Sequence, residues 1–233
     1  MKIKQIFLGL VITFTLNSCV DSIDGNGDVV SEKRTVSSFN KISISGTYEV
    51  FLNNGTQERV EIEADENLLE LIETKVINNT LWITSTHPIG NSESLILYIT
   101  AVNLKKIDAS GAIKLSNKGS FTSENLEIEV NGAADIELDV ELENLTLKMS
   151  GASETTLIGK VDNFDVALSG AGELDALKLK TRNTTITISG AGSATVFAKK
   201  TLDISISGAG SVNYKGAPKV TKSIRGAGAI EQL

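Results

Sequence analysis

The chain has one cysteine, two prolines and one histidine among its 233 residues, and aromatic residues make up only 5% of it. A single cysteine, Cys19, excludes an intrachain disulfide, so no covalent staple holds the fold. With prolines only at 88 and 218, nearly every backbone N–H is free to pair in a sheet. So few rings imply a core of stacked aliphatic side chains. The lone histidine, His87, sits in a polar loop beside Pro88. A catalytic histidine needs an orienting acid and a nucleophile, and the sequence places neither near it. Charge is in acidic excess, with 22 Lys and Arg against 29 Asp and Glu and a formal net charge of -7. No basic run interleaved with aromatics occurs, so nucleic acid is not an expected partner.

What the chain has in abundance is a repeated corner. Small residues recur as Ser110-Gly111-Ala112, Asn131-Gly132-Ala133, Ser150-Gly151-Ala152, Ser169-Gly170-Ala171, Ser189-Gly190-Ala191, Ser207-Gly208-Ala209 and Arg225-Gly226-Ala227. The glycines are 18 to 21 residues apart, a period that marks one supersecondary unit stacked on its neighbours. Before each corner apolar residues alternate with polar ones: Leu126, Ile128, Val130; Leu145, Leu147, Met149; Leu202, Ile204, Ile206. A second alternation follows the corner, as in Ile136, Leu138, Val140. Period two means half-buried strands, and no run of period 3.6 competes with them here. Strand, corner, strand and return make one coil of a parallel β-helix. Glycine admits positive φ at the corner, alanine lets coils stack, and serine is expected to bond to local backbone. A phosphate-cradling role is not supported, because no helix N-terminus follows these glycines.

The amino terminus reads as an export signal. Lys2 and Lys4 precede an apolar run over 6–16, too short to span a bilayer as a helix. Leu16-Asn17-Ser18-Cys19 then resembles the lipobox of bacterial lipoproteins, in which the cysteine becomes the lipidated first residue. The expected organisation is a signal peptide over 1–18, a tether over 19–27 and one domain over 28–233. Within that domain, 28–109 are irregular coils and 110–233 the regular repeats. The irregular half contains an early strand and corner over 39–46, strands at 49–52 and 60–63 joined by a turn at Asn53-Asn54-Gly55, and strands at 81–84 and 95–100. A short helix is expected over 66–74, from Leu68, Leu69, Leu71 and Ile72 at helical spacing, with Asp65 as its N-cap.

Several of these segments together are similar to one known family. Gly25 to Val30, Phe39 to Gly46, Glu63 to Leu69 and the Ser-Gly-Ala corners resemble the auto-transporter adhesin head GIN domain family over roughly residues 25 to 233. The resemblance implies an all-β, right-handed parallel β-helix and an envelope location, often as a lipoprotein of the outer membrane in Bacteroidetes-type bacteria. It brings no activity and no catalytic residues.

Three constellations are candidates for chemistry. Three residues past the corner glycine stand Asp135, Glu154 and Glu173, which would form a carboxylate column on one outer face. Like charges one strand spacing apart repel, and a hard cation such as calcium would relieve them; a solvated acidic face is the structural alternative. His87 is the second candidate, with loop decoration as its alternative. Trp82, Tyr48 and Tyr98 are the third; exposed they would suit sugar stacking, and packed they would be core. Two function classes follow. One is a non-enzymatic envelope lipoprotein, held to the membrane through Cys19 on the periplasmic or cell-surface side, whose β-helix binds glycans or envelope proteins. The other is a polysaccharide lyase or hydrolase, since right-handed β-helices also host these. Site chemistry favours the first, because no Asp-Asp pair or Asn-Thr-Asp run is present. No cofactor is expected apart from the weak case for calcium. Only Glu231, Gln232 and Leu233 follow the last corner segment, Ile224 to Ile230, so a small homo-oligomer is expected to cover the final coil.

Overall fold

A computed structural model describes residues 21–233. The signal read over 1–18 and Cys19 lie outside the described residues. Those described are all-β apart from one short helix, α1 (Glu66–Leu69), and form a single twelve-stranded sheet. The strands are β1 (Val29–Arg34), β2 (Lys41–Asn54), β3 (Arg59–Asp65), β4 (Ile72–Ile77), β5 (Thr80–Ser85), β6 (Leu95–Ala101), β7 (Lys106–Asn117), β8 (Phe121–Gly190), β9 (Ser193–Gly208), β10 (Ser211–Lys215), β11 (Lys219–Gly226) and β12 (Ala229–Gln232). The main order is β1-β3-β6-β2-β7-β8-β9-β10-β12, with β11 on β9 and with β4 joined through β5 to β2. Along the order β2-β7-β8-β9-β10-β12, and for β11 on β9, every pairing is parallel. Antiparallel pairs are confined to β1–β3, β3–β6 and β4–β5.

The glycine corners fall in register: Gly46 opposes Gly111, Gly111 opposes Gly132, Gly190 opposes Gly208, and Gly208 opposes Gly226. At each of the seven corners, φ of the glycine lies between 111° and 136°, a region that only glycine enters without strain. A Cβ at Gly132 or Gly170 would overlap the carbonyl oxygen of the preceding corner glycine. Close stacking therefore demands glycine on two independent grounds. The corners do not end the strands, however: β8 runs for 70 residues straight through them. One corner serine, Ser110, also acts differently from expectation. Ser110 Oγ donates to the carbonyl of Ile44, 3.5 Å away in the neighbouring repeat, and not to local backbone.

The alternation buries the residues it should. Leu126, Ile128, Val130, Leu145, Leu147, Ile186, Ile188, Leu202, Ile204 and Ile206 are at most 3% exposed, each contributing about 1.5–3 kcal/mol by leaving water. The core is not purely aliphatic, because Phe121 and Phe164 are among its largest buried side chains.

The N-terminal half departs from the sequence reading in four places. The helix is one turn, and Ile72–Ile77 instead forms a hairpin with Thr80–Ser85. The two linking residues, Asn78 and Asn79, have φ of 51° and 61°, the left-handed pair that a tight two-residue turn requires. Asn53-Asn54-Gly55 does not make a hairpin either, since β6 lies between β2 and β3. Asp65 makes no side-chain cap bond to the helix. Its buried carboxylate accepts from the backbone N–H of Gly27 at 2.7 Å and of Glu93 at 3.0 Å. The segment expected as a tether is thus held to the body at Gly27, and also at Ile23, whose N–H donates to the carbonyl of Pro88.

Candidate binding surface

Regular stacking turns each exposed position into a column. The column of the expected carboxylates begins earlier than the sequence suggests. Glu49 opposes Lys114, and Lys114 opposes Asp135; at the other end Glu173 opposes Ser193, which opposes Ser211. Lys114 Nζ lies 3.2 Å from Glu49 Oε1, and hydrogen bonding to Glu49 holds the lysine above its ordinary pKa, with the charge of Asp135 adding to the effect. Asp135, Glu154 and Glu173 all line one open groove of about 720 Å³ floored by Ala112, Ala133, Ala152 and Ala171. The three acids thus share the lining of one groove. It does not bring them to a point: among the described residues no group of three or more His, Cys, Asp or Glu side chains could hold a metal ion. The column is a mixed-charge, solvated face, and calcium has no cage there.

The other candidates separate. His87 is exposed, with Nδ1 3.3 Å from Thr86 Oγ1. Tyr48 is buried, at 3% exposure, and its hydroxyl has no hydrogen-bond partner; burial pushes it up to about 12. The Tyr48 ring covers Gly46, where a Cβ would lie 2.9 Å from Cε2. It thereby closes the N-terminal end of the glycine column, doing there what a glycine carbonyl does at every later corner. Tyr98 stacks on Phe51 with centroids 5.3 Å apart. Trp82 is 44% exposed, so it is not the core residue its flanking Leu81 and Ile83 suggest.

Two further arrays escaped the sequence reading. Asn144 Nδ2 donates to Asn125 Oδ1, Asn163 to Asn144 and Asn183 to Asn163, at 2.7, 2.8 and 2.9 Å. Thr201 Oγ1 continues the series to Asn183 Oδ1 at 3.0 Å. An amide has both donor and acceptor, so one residue type can extend such a ladder without end. The available signal was asparagine recurring one repeat apart, directly before the first buried residue of each strand. The second array is an ion-pair run on one strand face. Lys106 Nζ lies 2.9 Å from Glu129 and 3.4 Å from Glu127, and Lys148 lies 2.7 Å from Glu127. The Lys148 hydrogen bond holds Glu127 below the usual carboxylate range.

This architecture agrees with a family model described as "Putative auto-transporter adhesin, head GIN domain", which matches residues 38–218. The chain belongs to that family. Solved structures of similar fold include a "putative adhesin" from Bacteroides fragilis, 24% identical with a TM-score of 0.84, covering 91% of this chain and 100% of that one. A "putative lipid binding protein" from Parabacteroides distasonis is 24% identical with a TM-score of 0.75, over 91% and 100% of the two chains. A "putative adhesin" from Parabacteroides merdae is 23% identical with a TM-score of 0.69, over 91% and 99%. No curated protein matches the chain. At these identities the structures establish a common fold for the GIN-domain chain and nothing about its ligand.

Proposed function

We propose that this protein is a non-enzymatic cell-envelope lipoprotein, in which a right-handed β-helical solenoid displays surface columns for adhesion or for binding glycans and envelope proteins. The observation that carries the reading is the register. Corner glycine opposes corner glycine at Gly46–Gly111–Gly132 and again at Gly190–Gly208–Gly226. Each outward position is then repeated at the strand spacing of about 4.8 Å, which suits a repetitive partner. The leader over 1–18 would direct export and be removed, and a lipid on Cys19 would tether the body at the outer membrane, on its periplasmic or outer side. No helix among the described residues is long and apolar enough to cross a membrane.

Two arms of one experiment test this reading. Wild-type protein should partition with membranes, and Cys19→Ala should move it to the soluble fraction; equal partitioning of both would remove the lipid anchor. The soluble variant, screened on a glycan array, should retain ligands without releasing new reducing ends. Sustained release of sugar ends would replace the display reading with the lyase or hydrolase class.

A further inference from the structure

Charge is distributed unevenly along the stack. Residues 21–175 carry 27 Asp and Glu against 11 Lys and Arg, whereas residues 176–233 carry two acids against nine bases. An acidic body thus ends in a basic C-terminal quarter. A second open groove, of about 680 Å³, spans this change, from Glu141, Glu143 and Asp162 at one end to Lys180 and Lys199 at the other. At its acidic end the cations are matched: Lys160 lies 4.0 Å from Glu141 and Arg182 lies 3.6 Å from Asp162. Towards the C-terminus Lys180 and Lys199 line the groove, with Lys200 and Lys215 beyond them. These four exposed lysines have no carboxylate within 4 Å among the described residues.

One column in this region has a distinct composition. Lys180 opposes Phe197, and Phe197 opposes Lys215. Val196 and Ala198, on either side of Phe197, are in the core, while Phe197 is not part of it. The ring therefore faces outward, between a lysine on the strand before and a lysine on the strand after. An aromatic face packs against the C–H face of a pyranose ring while leaving polar tips wet. Lysines at one strand spacing on either side would meet carboxylates carried by the neighbouring sugars of an extended chain. A planar lipid surface would match a flat basic face better than this line of charges following the stacking axis.

We propose that the Lys180–Phe197–Lys215 column and the adjoining groove bind an acidic polysaccharide, a linear polymer of carboxylated sugars. The inference rests on the display reading above and names its ligand class. The test uses polygalacturonate as the probe, with neutral dextran, phosphatidylglycerol vesicles and duplex DNA alongside, and with soluble Cys19→Ala protein as the reference. Polygalacturonate should bind, and its affinity should fall as salt rises, as charge neutralisation of a polyanion requires. Phe197→Ala should weaken binding about tenfold and leave the salt slope unchanged, because the lost contact is uncharged. Lys180→Gln with Lys215→Gln should weaken binding and flatten the log–log salt slope by roughly 1.4, at about 0.7 per charge as for single-stranded polyanions. If Phe197→Ala does not fold, the lysine pair decides alone, with Lys180→Arg and Lys215→Arg expected to bind as the reference does. Equal binding of dextran, unchanged binding by the lysine pair, or binding to vesicles or DNA in place of polygalacturonate would overturn the proposal. Array binding of other glycans that survives in the lysine-pair variant would overturn this column alone and leave the display reading standing.

Discussion

Replacing Gly170 by alanine tests the stacking argument with a single methyl group. The glycine has φ of 120°, and holding an L-residue in such a sparsely populated region costs about 1–3 kcal/mol. The added Cβ would also overlap the Gly151 carbonyl oxygen and approach the Gly151 nitrogen to 3.2 Å. These are backbone atoms locked between two neighbouring strands, so no rotamer change relieves the contact. Overpacking of this kind costs a further ~1–3 kcal/mol, giving about 4 kcal/mol in all. For a domain of this size each kcal/mol lowers Tm by about 2–4 °C, so Gly170→Ala should unfold about 8–16 °C earlier. Gly119 supplies the control. Its φ is 70° and a Cβ there meets nothing within 4 Å, so Gly119→Ala should cost only the left-handed strain of about 1–2 kcal/mol. Scanning calorimetry of the two variants separates strain from contact. Equal Tm values for both, or a shift below about 2 °C for Gly170→Ala, would refute the reasoning.

Other substitutions probe different parts of the fold. Asn163→Ala removes one bond made to Asn144 and one received from Asn183; at about 0.5–1.5 kcal/mol for each exposed bond, chemical denaturation should show a loss of about 1–3 kcal/mol. Burial alone would raise the Asp65 carboxyl, but the backbone N–H groups of Gly27, Ser94 and Glu93 outweigh it and hold the pKa below its ordinary value. A depressed carboxyl stabilises above its unfolded pKa and stops doing so as pH falls through its folded one. Asp65→Asn should therefore melt earlier than wild type at pH 7, with the gap closing below about pH 4; a gap independent of pH would contradict this. Tyr48→Phe deletes a buried hydroxyl that has no partner and should leave Tm unchanged or raised, whereas a fall of several degrees would mean that the hydroxyl is satisfied in solution.

The regular half of the fold is legible in the sequence because its causes are local and repeated. The corner glycines from Gly111 to Gly226 announce positive φ by recurring at one place in every repeat, and the alternation of Leu126, Ile128 and Val130 announces a buried face. The irregular half is less legible because its outcomes are decided between segments. Leu68, Leu69, Leu71 and Ile72 fit a helical face, yet pairing of Ile72–Ile77 with Thr80–Ser85 through Asn78 and Asn79 wins that stretch. Asp65 has the right residue type and place for an N-cap, but three backbone donors from distant segments claim it. The carboxylate column of Asp135, Glu154 and Glu173 could be counted from the corners; carrying the same count back to Gly111 and Gly46 would also have found Lys114 and Glu49. The asparagine ladder and the Lys180–Phe197–Lys215 column need cross-strand register before their members become neighbours. The recurrence of asparagine one repeat apart is the ladder's one trace in the sequence, and the lysine–phenylalanine column leaves none.

The account depends on repeats stacked in register, and a spin-label distance measures this directly. Nitroxides placed on cysteines at Asn125 and Thr201, in a Cys19→Ala background, sit at the two ends of the hydrogen-bonded ladder, four strand spacings apart. Double electron–electron resonance should give a narrow distribution centred near 19 Å, four times the ~4.8 Å between neighbouring strands. A broad distribution, or one centred beyond about 30 Å, would contradict the stacked architecture and both surfaces built on it.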